Sequence, residues 1–343
     1  MPDYKQPVGL ENYIRQVRAN SHYHVERKDY TTADGMQLYL LRYVPKDKTV
    51  KEPVVGLHGI GQKVESLDTI AAELATNGIE FISIEVRGRE KSASKKPWGI
   101  EDYLTYDLPA GIDEAKKISK SEKIIPFGFS MGSYLWDEYY RRNPDKRDEA
   151  KAFVALSFPY DMSQTHHLLT QLYIAYNALH ALHAHKFTIP TKRYARLYAR
   201  LEGIISTADG LLMHMLFRFV NIIYNHENIK NGHLKKELRH NVVDISLQEA
   251  RDLLSIKVGD LINYIKVPVF FMTGTEDRIA PVASMQEYMG KIKTAEFVSL
   301  ENAGHLDILY DPRTSSRIID FIKRLGQKTR CKSSSLPKTS ELY

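Results

Sequence analysis

The chain has 343 residues, 43% of them hydrophobic and 26% charged, which is enough apolar material for one large α/β domain with an insertion or for two domains. A formal charge of +6 makes anionic partners a weak expectation, while the single cysteine, Cys331, excludes an internal disulfide and a cysteine-based metal site. The polar amino terminus lacks the apolar stretch of a secretory signal, and the longest apolar run, Leu211 to Tyr224, is broken by His214, Arg218 and Asn221 and is shorter than the roughly 20 residues that cross a bilayer, so a cytoplasmic protein is expected.

Residues 1–24 are expected to form an amino-terminal helical segment ahead of the core. From Tyr30 to Val44 two β-prone runs flank Ala33, Asp34 and Gly35, the pattern of a hairpin that opens the sheet with antiparallel strands. A short apolar run at 53–57 leads into "HGIGQ" and then a helical pattern, "SLDTIAAELATNG", with Gly78 suited to its carboxyl cap. "EFISIEV" supplies the next strand and "RGREKSASKKPWG" a polar connection; in "YDLPAGIDEAKKI" Asp107 is expected to cap a helix whose first turn tolerates Pro109. "KIIPFGFSMGS" reads as strand, turn and helix, and "AKAFVALSF" as a further strand. Strands alternating with helices at this spacing imply crossovers and a mostly parallel sheet.

After Phe158 the rhythm breaks: residues 162–262 show long helical patterns and no convincing strand. It returns with "VPVFFMTG", a helix at "PVASMQEYMGKI", the strand "AEFVSL" and a last helix near "SSRIIDFIKRL". Neither half completes a strand series alone, so residues 25–161 and 263–327 form one core, 162–262 a helical insertion and 328–343 a polar, disordered tail.

Ser130 stands between Gly128 and Gly132, where a β-branched run turns into a helix. In such a sharp turn the flanking residues must be small, the nucleophile's backbone is strained, and its hydroxyl is presented at the carboxyl edge of the sheet. A serine needs a base to take its proton, and a histidine base needs an acid to fix its tautomer. Asp277 in "TGTEDRIAP" follows one strand and His305 in "ENAGHLDIL" follows the next, which gives the chain order Ser, Asp, His. Asp161, just past the strand ending at Phe158, is the competing acid. The Met131 amide at the helix start and the Ile60 amide after Gly59 are the candidate oxyanion donors, and His58 is assigned to orienting that loop, with a catalytic His58 as the rival reading.

Taken together, "HGIG", "EVRGREKS", "GFSMGS", "GTEDRIAP" and "GHLD" resemble the stations of the α/β-hydrolase superfamily over roughly residues 25–327. The resemblance implies a mostly parallel central sheet flanked by helices, with a helical lid inserted after the sixth strand. Within the superfamily, the large insertion and "YDLPA" are similar to acid-lipase-like and polyhydroxyalkanoate-synthase-like members. The synthases carry cysteine where this chain has Ser130, so the resemblance implies hydrolysis rather than polymerisation. The sequence departs from the family pattern at Phe129, Ser133, Glu85 and Glu90.

The insertion is rich in Leu, Ile, Tyr, Met and Phe, which suits a roof over an acyl chain. From His183 to His240 it carries ten Lys or Arg against four Asp or Glu, a balance that allows peripheral contact with anionic lipid. His166, His167, His180, His183 and His185 have no interleaved carboxylate, so neither a metal nor any cofactor is expected; "KRYARLYAR" reads as a packing stripe with flanking arginines, not a nucleic-acid surface, and "LPKTS" as tail. These readings converge on a serine hydrolase of carboxylic esters with acyl-chain substrates. An acyltransferase or thioesterase sharing the acyl-enzyme, or a non-catalytic protein holding an apolar ligand, are the alternatives.

Overall fold

The alternating strand and helix patterns assemble into an eight-stranded sheet of order β1-β2-β4-β3-β5-β6-β9-β10. The computed structural model describes residues 22–89, 98–159, 188–189, 245–246, 248–249, 252, 266–290 and 292–333. β1 (Tyr23–Thr31) and β2 (Gln37–Pro45) form the expected antiparallel hairpin, and β2 runs antiparallel to β4 (Phe81–Ile84). β3 (Val54–Leu57), β4, β5 (Ile125–Phe129), β6 (Phe153–Leu156), β9 (Val269–Gly274) and β10 (Ala295–Leu300) are parallel to one another. This is the α/β-hydrolase arrangement, a mostly parallel sheet with an insertion after β6.

Helices cover both faces because the parallel strands are apolar on both, their side chains alternating with the pleat. Val55, Ile82 and Phe271 point to one face, where they pack with Leu108 and Ile112 of α2 (Leu108–Ser119), Leu135 and Trp136 of α3 (Met131–Arg142) and Met285 and Tyr288 of α4 (Val282–Met289). Val54, Phe81 and Phe270 point to the other, against Ile70 and Leu74 of α1 (Asp68–Thr76) and Ile318 and Ile322 of α5 (Pro312–Ser333). The strands are buried between these two layers, the support that a site built at their ends requires.

Several expectations are corrected. β1 begins at Tyr23, inside the stretch assigned to an amino-terminal helical segment; as an edge strand it is exposed along most of its length and so carries no period-two signal. Residues 1–21 lie outside the described residues. Asp107 makes no side-chain cap, since helical backbone already begins at Ile100 and passes through a wide turn at Tyr103–Asp107 into α2. Its carboxylate instead takes the Arg87 backbone amide at 2.8 Å and the Arg87 guanidinium at 2.7 and 2.9 Å, and Asp34 of the hairpin turn takes the other edge of that guanidinium at 2.8 and 2.9 Å. Burial outweighs those bonds and pushes Asp107 up to about 6, while the Arg87 hydrogen bonds hold the more exposed Asp34 down at about 2.

The insertion does contain strand: β7 (Thr188–Ile189) pairs antiparallel with β8 (Ile245–Ser246), each too short to leave an alternating pattern in the sequence. Its return is pinned to the core. Glu249 receives Arg89 at 2.8 Å in a fully buried ion pair and the Trp98 indole N–H at 3.3 Å, and Asp252 receives the Ile100 amide at 3.1 Å. α5 continues to Ser333, past the point where a disordered tail was expected to start. Among the described residues, no helix is long and apolar enough to cross a membrane.

Candidate active site

Ser130 is the junction between β5 and α3, at φ 53°, ψ −120°, a left-handed conformation that a non-glycine residue holds only when its surroundings impose it. They do so by direct contact. A Cβ on Gly128 would lie 2.3 Å from the Ser133 backbone, and one on Gly132 would lie 2.2 Å from the Leu57 carbonyl oxygen, so both positions are closed to a side chain. The Ser130 amide donates to Leu156 O at 2.9 Å, the Ser133 hydroxyl to the same carbonyl at 3.2 Å, and the Trp136 indole to Phe127 O at 2.9 Å, tying α3 to β5 and β6. Met131 is the first residue of α3, and its amide stands outside the intrahelical ladder.

Asp277 lies in the turn after β9. Its Oδ1 accepts the Ile279 amide at 2.9 Å and the Ala280 amide at 2.8 Å, and the Thr273 hydroxyl stands 3.1 Å from its Oδ2. Burial alone would raise this carboxyl, but its interaction with His305 and the Ala280 amide outweigh it and hold the group below the ordinary carboxylate range. Asp277 therefore stays ionised.

His305 sits in the loop after β10, where Asp307 Oδ2 accepts the Gly304 amide at 2.8 Å. Its Nδ1 is 3.0 and 2.9 Å from the two Asp277 oxygens and its Nε2 is 2.9 Å from Ser130 Oγ. An ionised carboxylate can only accept, so the proton is on Nδ1 and Nε2 is left as an acceptor for the serine hydroxyl. The loops of Asp277 and His305 come this close because Gly274 has no side chain: a Cβ there would lie 2.0 Å from Ala303 O. The Phe129 ring backs the imidazole at 5.1 Å between centroids.

Three residues from distant parts of the chain thus meet in one hydrogen-bonded line at the carboxyl ends of β5, β9 and β10. His58 is not in that line. It is buried under the loop after β3, with Nδ1 2.9 Å from Gly59 O and Nε2 2.8 Å from Glu85 Oε1. Ile60, partly buried, lies in the turn that follows. Asp161, the histidine cluster from 166 to 185, the run from Lys192 to Arg200 and the "LPKTS" stretch lie outside the described residues. Among the described residues, no cluster of His, Cys, Asp and Glu could hold a metal ion. Sequence reasoning missed the Glu85 partner of His58 and the Phe129 contact; the acidic residue directly after β4 was the available signal for the first.

Comparisons with known proteins agree with this fold. The chain is 23% identical over 264 residues to the AB hydrolase superfamily protein YisY of Bacillus subtilis (strain 168), covering 74% of this chain and 84% of that protein. Its fold is similar to a thermophilic esterase from Thermogutta terrifontis, solved with malate bound, with TM-score 0.61, 18% identity, and coverage of 88% of this chain and 99% of the other. It is likewise similar to the esterase EaEST from Exiguobacterium antarcticum, with TM-score 0.62, 17% identity and coverage of 86% and 99%. A family model, Hydrolase_4, matches residues 48–313, from before β3 to the start of α5 and so including Ser130, Asp277 and His305. By that match the chain belongs to the family described as serine aminopeptidase, S33.

Proposed function

We propose that the protein is a serine hydrolase of carboxylic esters working through an acyl-enzyme. The observation that carries this reading is the Ser130–His305–Asp277 line, with 2.9 Å between His305 Nε2 and the serine oxygen and a proton fixed on Nδ1. In the first step Ser130 Oγ attacks the ester carbonyl while His305 Nε2 takes its proton, and the Asp277 carboxylate stabilises the imidazolium. The tetrahedral oxyanion is held by the amides of Met131 and Ile60; the helix dipole of α3 adds to the first. His305 then protonates the leaving alkoxide, and in the second half-reaction it activates the water that releases the acid and restores the serine.

Acyl-chain substrates, roofed by a lid formed from residues 162–262, are the finer part of the proposal, supported by the apolar composition of that insertion and its place after β6. So is the likeness to acid-lipase-like members, and so is contact of the basic 183–240 stretch with anionic lipid. Activity on p-nitrophenyl esters from acetyl to palmitoyl, with and without anionic vesicles, tests all three: a preference for short chains that vesicles leave unchanged removes them while leaving the hydrolase in place. The family's description calls for p-nitroanilides of amino acids in the same panel.

The core reading is tested by Ser130→Ala. Loss of fluorophosphonate labelling and of ester turnover is expected, and undiminished cleavage by this variant overturns the assignment. Product analysis with added alcohols or thiols separates hydrolysis from acyl transfer. A wild-type protein that never labels but is stabilised by lipid is the outcome for a non-catalytic binder.

A further inference from the structure

Behind the loop after β3 lies a buried group that the hydrolytic steps do not use. His58 is 1% and Glu85 0% exposed, and both are side chains that seldom enter a core without a specific partner. Each finds one in the other, with 2.8 Å between His58 Nε2 and Glu85 Oε1. On the far side of the ring, Nδ1 lies 2.9 Å from Gly59 O.

The partner of Nδ1 fixes one ring proton. A backbone carbonyl only accepts, so Nδ1 must carry a hydrogen. Glu85 is itself held in place, receiving the Val86 amide at 3.3 Å on Oε1 and the Val64 amide at 3.4 Å on Oε2. Both ring nitrogens are engaged, Nδ1 by the Gly59 carbonyl and Nε2 by the Glu85 carboxyl group, so the ring cannot turn without breaking a buried hydrogen bond.

The consequence runs through one peptide plane. Gly59 O and the Ile60 N–H belong to the same peptide, which is trans, so fixing the carbonyl direction fixes the N–H in the opposite direction. The carbonyl is gripped by His58 Nδ1 and, at 3.3 Å, by the Gln62 amide, while the preceding peptide is held by the Gly59 amide donating to Gln62 Oε1 at 2.9 Å. We propose that Glu85, acting through His58, is the positioning residue that aims the Ile60 amide at the oxyanion, with Gln62 bracing the same turn. This rests on the role given above to Ile60.

Two measurements test it. In the wild-type protein, without substrate, nitrogen-15 NMR is expected to show a hydrogen on Nδ1 of His58; a bare Nδ1 overturns the proposal. The second compares two double variants that each remove the buried His58–Glu85 contact and differ only in the donor to Gly59 O. Glu85→Leu/His58→Asn keeps a side-chain N–H near the place of Nδ1 and is expected to lose less kcat than Glu85→Leu/His58→Leu, which is expected to lose about 10- to 100-fold with KM little changed, a fraction of what deleting an oxyanion donor costs. Equal kcat in the two folded variants overturns the proposal. Should either variant fail to fold, the wild-type spectrum still decides. The spectrum is read without turnover and the hydrolase reading by Ser130→Ala, so the two can fail separately.

Discussion

Ser130 holds φ 53°, ψ −120°, a backbone region that glycine enters freely and a side-chain-bearing residue does not. Strain of this kind costs of order 1–3 kcal/mol. Replacing Ser130 by alanine keeps the Cβ and therefore the strain; replacing it by glycine relieves it. Both variants lose the hydroxyl and its 2.9 Å contact with His305, so that term cancels between them. Against the relief stands the greater freedom of glycine in the unfolded chain, about 0.4–1 kcal/mol. Ser130→Gly is therefore expected to be more stable than Ser130→Ala by about 1 kcal/mol, although neither turns over ester. Equilibrium unfolding in urea, followed by the fluorescence of Trp98 and Trp136, measures the difference provided the two slopes agree. A glycine variant no more stable than the alanine variant would refute the idea that the nucleophile's turn stores strain.

Gly274→Ala is expected to cost both stability and activity, since its methyl group meets Ala303 O at 2.0 Å and must push the Asp277 and His305 loops apart; wild-type kcat in this variant would contradict the close-approach argument. Arg89→Met strands Glu249 in a fully buried position and is expected to lose about 3–5 kcal/mol in urea unfolding, most of which Arg89→Met/Glu249→Leu recovers. Asp34 is held at about 2 against an ordinary 3.8, so its pairing with Arg87 contributes stability above pH 3.8 that fades as pH falls towards 2. The stability of Asp34→Asn is expected to approach that of wild type over that window; a gap that stays constant between pH 5 and 2 argues against the pairing.

Much of the fold could be read from the chain because parallel strands buried on both faces leave short apolar runs, and the crossovers between them leave helical periods. Ser130, Asp277 and His305 stood out for the same reason: each directly follows such a run, so each had to sit at the carboxyl edge of the sheet. β1 escaped notice where it is exposed, since an edge strand has no buried face to impose a pattern. Asp107 was misread as a helix cap because local sequence offers a cap and says nothing of Arg87, 20 positions earlier.

What sequence alone determined was the order of the elements and which polar residues lie at their ends, for those are written in local periodicity. Only the tertiary structure decided who meets whom: Ser130 with His305 across 175 positions, Arg89 with Glu249 across 160, His58 with Glu85 across 27. A partner's identity depends on the register and twist of the sheet that brings distant strand ends together, and no repeat in the chain records that distance.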